Sequence, residues 1–178
     1  LAPGTYPLSF PGLEIDYDVT IMALEEGTAV LDGGDSTRLI MFNTGANVTL
    51  IGLQLTNGND ATAGGEGGGM HIRGDAMVTM TGCNIFGNYP FFALAGFAFN
   101  GGGFFIWENA VVTMTGCTLS GNTAATGGGM KIQGYAVLTM TGCTLSGNTA
   151  DDSPNTLSDG GGMYIGASDS GANNAVVT

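Results

Sequence analysis

The sequence predicts an all-β chain wound as a solenoid of stacked coils, and three observations carry that prediction. Glycine accounts for 33 of the 178 residues and occurs in triplets, each followed by an apolar residue. The segment Thr-Met-Thr-Gly-Cys recurs three times, and the last Gly of a triplet precedes the next such Cys by fourteen residues each time. The connections between these modules vary in length. A fixed module that alternates with variable connections is typical of repeat proteins.

Each module is predicted to form three short strands separated by bends. In the copy at 127–148, Met130-Lys131-Ile132 and then Leu138-Thr139-Met140-Thr141 alternate in the manner of half-buried strands. After Gly142 the alternation slips by one residue, which would turn a straight strand inside out. A glycine at the slip indicates a corner instead. Three strands and three bends then make one coil of a parallel β-solenoid, with about six coils in a single domain over residues 1–178.

The connections and the termini add two expectations. Insertions are expected at 89–100 and 149–160, where the spacing between modules is longest. A solenoid needs capped ends, and neither terminus has a recognisable cap, so we expect this chain to be a piece of a longer protein.

Composition excludes several classes of protein. The chain has a formal net charge of -12 and three Lys and Arg residues, too few to neutralise the phosphates of a nucleic acid. A hydrophobic content of 43% excludes an intrinsically disordered chain. No apolar run approaches the ~18 residues that a membrane-spanning helix needs.

The repeats resemble those of a known superfamily. The segments 127–150 and 31–60 are similar to right-handed parallel β-helix repeats of the pectin-lyase-like superfamily, and in style to those of polymorphic outer membrane proteins and related surface adhesins. Those families repeat a Gly-Gly-Ala-Ile-like element and a Phe-x-x-Asn element. The present chain has Gly-Gly-Met or Gly-Gly-Phe at the first, and Phe86-Gly87-Asn88 and two Leu-Ser-Gly-Asn segments near the second. The resemblance implies a right-handed coil and leaves the activity open.

In-register stacking turns equivalent positions into rows. Cys83, Cys117 and Cys143 form one row, which we interpret as buried thiols, because three thiols in line do not surround a metal ion and stacked Cβ atoms lie too far apart for a disulfide. The redox compartment stays open. Asn88, Asn122 and Asn148 form a second row, predicted to bond along the axis at a bend.

A third row contains threonine. It recurs at every coil with an outward parity, and its β-branched side chain suits strands in general. Thr-x-Thr on a flat solenoid face also resembles the ice-binding surface of some β-solenoid antifreeze proteins. The Thr residues are 20, 49, 79, 113, 139 and 178, with 81, 115 and 141 in the next column.

The first strand of each module carries the most chemistry on its outward positions. Those positions combine the only His, the only Trp and two of the three cations. Aromatic rings stack on sugars and cations pair with uronates, so the face is a candidate glycan or partner contact. Asp75 and Glu108 are expected to be the nearest acids, and no paired carboxylates are expected beside this face. The contact candidates are His71, Arg73, Phe105, Trp107, Lys131 and Tyr164.

The two insertions and one sequon complete the candidates. The loop 89–100 is almost wholly apolar, so it either folds back over the solenoid wall or contacts a partner protein or neighbouring subunit, and we favour the contact. Its candidates are Phe91, Phe92, Phe97 and Phe99. The acidic insertion 149–160 lacks an ordered spacing of Ca²⁺ ligands, so we expect no cofactor or metal. Asn47-Val48-Thr49 is a glycosylation sequon with Asn47 pointing outward.

The function expected from these features is non-enzymatic. We expect an extracellular or cell-surface rod that serves adhesion or assembly and contacts partner proteins or glycans. The alternatives are a carbohydrate-active β-helix enzyme, namely a polysaccharide lyase, hydrolase or epimerase, with His71, Arg73 and Lys131 as candidate groups, and an ice-binding protein. We expect neither a nucleic-acid partner nor a membrane span in this segment.

Overall fold

The computed structural model describes residues 1–60, 65–90, 99–150, 159–166 and 175–178. Within these residues the chain forms three parallel sheets of six strands each and one two-stranded sheet, and it forms no helix. In this part of the chain, therefore, no helix is long and apolar enough to cross a membrane. The predicted all-β solenoid of about six coils is confirmed.

Each coil contributes one strand to each of three sheets, called A, B and C here. Sheet A contains β1(Gly4–Pro7), β4(Ala29–Asp32), β7(Leu53–Thr56), β10(Asn84–Phe86), β13(Thr118–Ser120) and β17(Thr144–Ser146). Sheet B contains β2(Leu13–Ile15), β5(Ile40–Phe42), β8(Met70–Ile72), β11(Phe104–Ile106), β15(Met130–Gln133) and β19(Met163–Gly166). Sheet C contains β3(Val19–Met22), β6(Asn47–Ile51), β9(Met77–Thr81), β12(Val111–Thr115), β16(Val137–Thr141) and β20(Val176–Val177).

Two short strands lie outside this three-sheet pattern. They are β14(Thr123–Ala124) and β18(Thr149–Ala150), which pair in parallel after the sheet A strands of two successive coils. Their pairing extends the stacking into the connection that leads from sheet A to sheet B.

Inward side chains of all three sheets fill one core along the axis. Equivalent positions hold like residues, so the inward rows are apolar, and they are fully buried in the central coils: Val48, Val78, Val112 and Leu138 form one such row in sheet C. A single coil cannot cover its own inner face, because the cover comes from the coils above and below. Burial of these rows is the main favourable term in folding.

The predicted corners are confirmed. Gly52, Gly82, Gly116 and Gly142 link sheet C to sheet A, and all four have φ between 59° and 64°. This left-handed conformation strains residues that carry a Cβ atom, so the one-residue bend requires glycine.

Close approach between coils explains the glycine triplets. The last Gly of each triplet stacks on its counterpart, and a Cβ atom built on Gly103 would lie 2.5 Å from the carbonyl oxygen of Gly129. The same distance separates a Cβ on Gly69 from the oxygen of Gly103. Any larger residue would force neighbouring coils apart at this point.

The asparagine row is confirmed as a hydrogen-bonded ladder. The Oδ1 atom of Asn122 accepts hydrogen bonds from the backbone N–H and the Nδ2 of Asn88, both at 3.0 Å. Its own Nδ2 donates to the carbonyl oxygen of Ile85 at 3.0 Å. In the same way, the Oδ1 atom of Asn148 accepts hydrogen bonds from the backbone N–H of Asn122 at 3.1 Å and from its Nδ2 at 2.9 Å. The ladder satisfies buried backbone groups at the bend after sheet A.

The thiol row is confirmed as free cysteines. Cys83 and Cys117 are buried, and Cys143 is only half-buried near the last coils. A hydrogen bond with Cys83 and burial both raise the pKa of the Cys117 thiol, which therefore stays protonated at neutral pH. The core thiols act as small apolar side chains.

Replacing Asn122 by Ala should destabilise the protein by about 3 kcal/mol, because the substitution removes the acceptor of the buried Asn88 N–H and Nδ2 groups and one donor to the carbonyl oxygen of Ile85. Urea unfolding followed by circular dichroism measures the change. Asn109→Ala is the matched control, since Asn109 is exposed and its side chain bonds only to Asp75 among the described residues. Equal losses for the two variants would contradict the structural role of the ladder.

Candidate functional site

Sheet B brings the predicted contact residues into adjacent rows. His71, Phe105, Lys131 and Tyr164 stack in register on successive strands, as their spacing predicted. Arg73 and Trp107 follow the ends of β8 and β11, and Gln133 ends β15 in register with Gly166. The outer side of sheet B therefore collects the groups that the sequence singled out.

Two of the predicted contact residues are buried and not accessible. His71 is 3% exposed and Phe105 is 2% exposed, although both occupy outward positions of the sheet. The Phe105 ring lies between its neighbours, with centroids 5.0 Å from His71 and 6.3 Å from Trp107. Glu66 approaches His71 from the preceding connection, with Oε2 3.8 Å from Nδ1. The alternating pattern of a strand predicts which side chains lie on the outer side of the sheet, but neighbouring residues can still cover them there.

A group of charged residues that sequence reasoning missed lies beside His71. Arg38 donates a short hydrogen bond from Nη2 to Asp60 Oδ2, and its Nε donates to the carbonyl oxygen of Gly67 at 3.2 Å. Asp60 is 5% exposed and also accepts the backbone N–H of Glu66 at 2.9 Å. We call Arg38, Asp60, Glu66 and His71 the sheet B polar cluster.

This cluster corrects the prediction that Asp75 and Glu108 are the nearest acids. Those two carboxylates serve the bend after sheet B: Asp75 accepts a hydrogen bond from Asn109, and Glu108 accepts the backbone N–H of Gly74 at 2.7 Å. Asp60 and Glu66, from the connection that leads into β8, lie beside His71 instead. The pairing Ile40↔Met70 places Arg38 level with the glycine triplet, so counting back from the strand is the one signal that could have located it.

Burial sets the protonation states of the cluster. Desolvation, reinforced by the positive charges of Arg38 and Arg73, lowers the pKa of His71 from 6.5 to about 3. The imidazole is therefore neutral at physiological pH. Neither ring nitrogen has a hydrogen-bond partner in the part of the chain that the structure describes. Desolvation also raises the pKa of Glu66, and Arg38 opposes that shift.

The other contact candidates of the face, Arg73, Trp107, Lys131 and Tyr164, are half-buried and therefore more accessible than His71 and Phe105. The Lys131 ammonium lies 5.7 Å from the ring centroids of both Phe105 and Tyr164, and its Nζ donates to Asn100 Oδ1 at 2.8 Å. Trp107 flanks Phe105 with its ring nearly parallel. We call Phe105, Trp107, Lys131 and Tyr164 the aromatic strip. Its geometry suits contact with a planar or ring-shaped partner.

Other candidates are placed as follows. Asn47 is exposed at the start of β6, as its parity predicted, and its backbone N–H bonds to Asp18. Phe99 is half-buried, and its carbonyl oxygen accepts the N–H of Thr126 at 3.0 Å. Phe91, Phe92 and Phe97 lie outside the described residues, as do 151–158 of the acidic insertion. Among the residues that the structure describes, no group of three His, Cys, Asp or Glu side chains could hold a metal ion.

The low pKa of His71 predicts a specific pH dependence of stability. In the unfolded chain His71 titrates near 6.5 and in the folded protein near 3, so the unfolded state binds the extra proton between these values. The free energy of unfolding should fall by up to about 1.4 kcal/mol per pH unit as the pH drops below 6.5. The raised pKa of Glu66 has the opposite effect on the free energy of unfolding. The folded protein binds the Glu66 proton more tightly than the unfolded chain does, so this contribution to stability is lost as the pH rises.

Urea unfolding at intervals between pH 7 and pH 5 measures this slope. His71→Phe should flatten it, since His71 is the only histidine of the chain, and Trp107→Phe should preserve it. An unchanged slope in His71→Phe would show that the buried histidine does not titrate as described.

Comparison with known proteins agrees with this architecture. The family described as right-handed beta helix region matches residues 34–178, which is most of the chain. No curated protein and no solved structure gives a significant match to the sequence. The stacked coils and the three parallel sheets agree with that description. The chain belongs to the right-handed β-helix family.

Proposed function

We propose that this β-helix is a non-enzymatic scaffold displayed outside the cell, where it contacts partner proteins or glycans within a larger assembly. The observation that carries the proposal is the closed state of the sheet B polar cluster. His71 is buried and its pKa lies at about 3, far below the value that suits a general acid or base at neutral pH. Arg38 is held by Asp60 and by the backbone of Gly67.

The same cluster also provides an argument against the enzymatic alternative. A hydrolase or lyase needs carboxylates or a cation that reach the substrate. Asp60 is 5% exposed and engaged with Arg38 and with the Glu66 backbone, while the side chain of Glu66 retains 38% exposure. Internal pairing of Arg38 with Asp60 favours a stabilising role for these two residues over a catalytic one.

The aromatic strip supports the contact function. Trp107, Lys131 and Tyr164 are half-buried on a face formed by successive coils, and they combine ring surfaces with a cation. A uronate polymer would find stacking surfaces and one positive charge there. The apolar sequence of the loop 89–100 supports a separate contact with a partner protein or neighbouring subunit, of which Phe99 is the described member.

The extracellular or surface location is part of the same proposal. It is supported by the similarity of the repeats to those of surface adhesins and by the exposed sequon residue Asn47.

Affinity electrophoresis in gels that contain polygalacturonate tests the proposal. We expect the protein to be retarded and to release no soluble oligosaccharide. Tyr164→Ala should weaken the retardation at least threefold, because it removes a ring from the strip, whereas Tyr135→Ala should not, since Tyr135 is exposed outside the strip. Release of oligosaccharides that is abolished by His71→Ala or Arg73→Ala would establish the enzyme alternative. Absence of retardation would exclude the strip as a uronate contact.

A second candidate function rests on the threonine row of sheet C. Thr20, Thr49, Thr79, Thr113 and Thr139 stack in register, and the Oγ1 atoms of Thr139 and Thr178 lie 3.1 Å apart. The outward positions of the sheet C strands carry no charged residue in the described chain. A flat, uncharged array of evenly spaced hydroxyl groups favours contact with ordered water. The second column is interrupted by Met22 and Ile51.

Thermal hysteresis measurements decide this second candidate. If sheet C binds ice, the protein should show hysteresis that Thr79→Tyr removes, because the larger ring breaks the flat row. Thr144→Tyr on sheet A is the control and should leave the hysteresis unchanged. A protein without hysteresis at millimolar concentration would exclude ice binding.

A further inference from the structure

An open groove crosses the outer side of sheet A, away from the aromatic strip. It encloses about 620 Å³, which lies within the range of small-ligand sites. It runs over several coils along the corner where sheet C turns into sheet A. Its walls are formed by Glu26, Gly27, Gln54, Gly82, Cys83, Asn84, Gly116, Thr118, Ser120 and Ser146.

Glu26 closes one end of this groove. Its side chain folds over the glycine corners, so that a Cβ atom on Gly82 would lie 2.6 Å from Glu26 Oε1. At Gly116 and Gly142 a Cβ atom would meet nothing within 4 Å. The corner is therefore covered by Glu26 at one end and open over the next two coils, so the groove extends along the solenoid axis toward the later coils.

The groove presents hydrogen-bonding side chains in register. Gln54, Asn84 and Thr118 stack in one outward column, and Ser120 and Ser146 pair in the next. Gln54 Nε2 donates to the carbonyl oxygen of Gly27, which holds the amide in place. The Oδ1 atom of Asn84 is buried without a hydrogen-bond partner among the described residues. Because this atom has almost no accessible surface, a ligand hydroxyl can donate to it only when the amide turns toward the groove, and that hydrogen bond would then remove the cost of the unsatisfied acceptor.

The charges around the groove exclude an anionic ligand. Its only ionisable side chains are Glu26 and Cys83, and the three cations of the chain, Arg38, Arg73 and Lys131, all belong to the sheet B side. A uronate or phosphate would meet a carboxylate and no counter-charge. Amide and hydroxyl groups that donate as well as accept match the hydroxyl groups of a neutral sugar.

The backbone of sheet A also excludes strand addition by an extended peptide at the groove. Strands β7, β10 and β13 are each paired on both sides, so no free strand edge is available for strand addition. Phe86 shares its outward column with Ser120 and adds one aromatic ring to this face of the sheet. Phe86 lies beside the groove and not in its walls, so the groove itself offers polar groups that match sugar hydroxyl groups.

We propose that this groove binds a neutral polysaccharide chain, with Gln54, Asn84 and Thr118 as the contacts to its hydroxyl groups. The site is separate from the aromatic strip on sheet B, and it does not depend on whether that strip contacts uronates or partner proteins. It gives the scaffold a second contact surface, which prefers neutral sugars, whereas the aromatic strip suits uronates.

Affinity electrophoresis with soluble neutral polysaccharides, a β-glucan and a mannan in parallel gels, tests the site. We expect at least one of them to retard the protein, and Thr118→Tyr to weaken that binding at least tenfold by filling the groove. Thr113→Tyr is the matched control, because Thr113 is a half-buried outward threonine on sheet C. Thermal unfolding of both variants verifies that they fold.

The outcomes separate this site from the sheet B contact. Loss of neutral binding in Thr118→Tyr with retention in Tyr164→Ala supports the groove. Neutral binding that Tyr164→Ala removes and Thr118→Tyr leaves intact assigns the sugar to the aromatic strip and overturns the proposal. Absence of retardation by both neutral polymers overturns it as well. Polygalacturonate binding is unaffected by Thr118→Tyr if the two sites are distinct.

Discussion

The whole structure depends on the close, in-register stacking of one coil on the next. Parallel strands lie ~4.8 Å apart, and at the glycine triplets even a single methyl group would collide with the neighbouring backbone. The asparagine ladder fixes the same register at the same bend, because its amides pack against the last glycine of each triplet and the Oδ1 atoms of Asn122 and Asn148 each accept two hydrogen bonds from the adjacent coil. Steric exclusion and directional hydrogen bonding act together at this bend and leave one way to stack the coils.

Stacking in register also decides which chemistry the surface carries. A charged residue repeated at one position would place like charges directly opposite each other, which destabilises a sheet. The rows that do repeat are neutral: threonine, asparagine and cysteine. Cations occur singly instead, and Lys131 stands in its row between two aromatic rings, Phe105 and Tyr164. The charged content of 10% follows from this constraint.

The fold could be predicted from the sequence because equivalent positions of successive coils recur with the same spacing inside each module. The slip of alternation after Gly142 located a corner, and the recurrence of Asn88, Asn122 and Asn148 located a ladder, because both features depend on neighbours at a fixed offset. The polar cluster escaped prediction for the opposite reason. Asp60 and Glu66 belong to a connection of variable length, so no offset places them beside His71. Parity likewise assigned His71 and Phe105 to the outer side without revealing that other groups cover them.

The three sheets consequently offer three different surfaces. Sheet B collects all the cations and closes most of them into internal pairs, sheet C presents hydroxyl and aliphatic rows without charge, and sheet A carries a polar groove beside Glu26. In a chain of net charge -12, an anionic partner meets favourable charge only on sheet B, because repulsion governs its approach elsewhere. A neutral partner is under no such restriction. The charge of a ligand, more than any single residue, therefore determines which face of the solenoid can bind it.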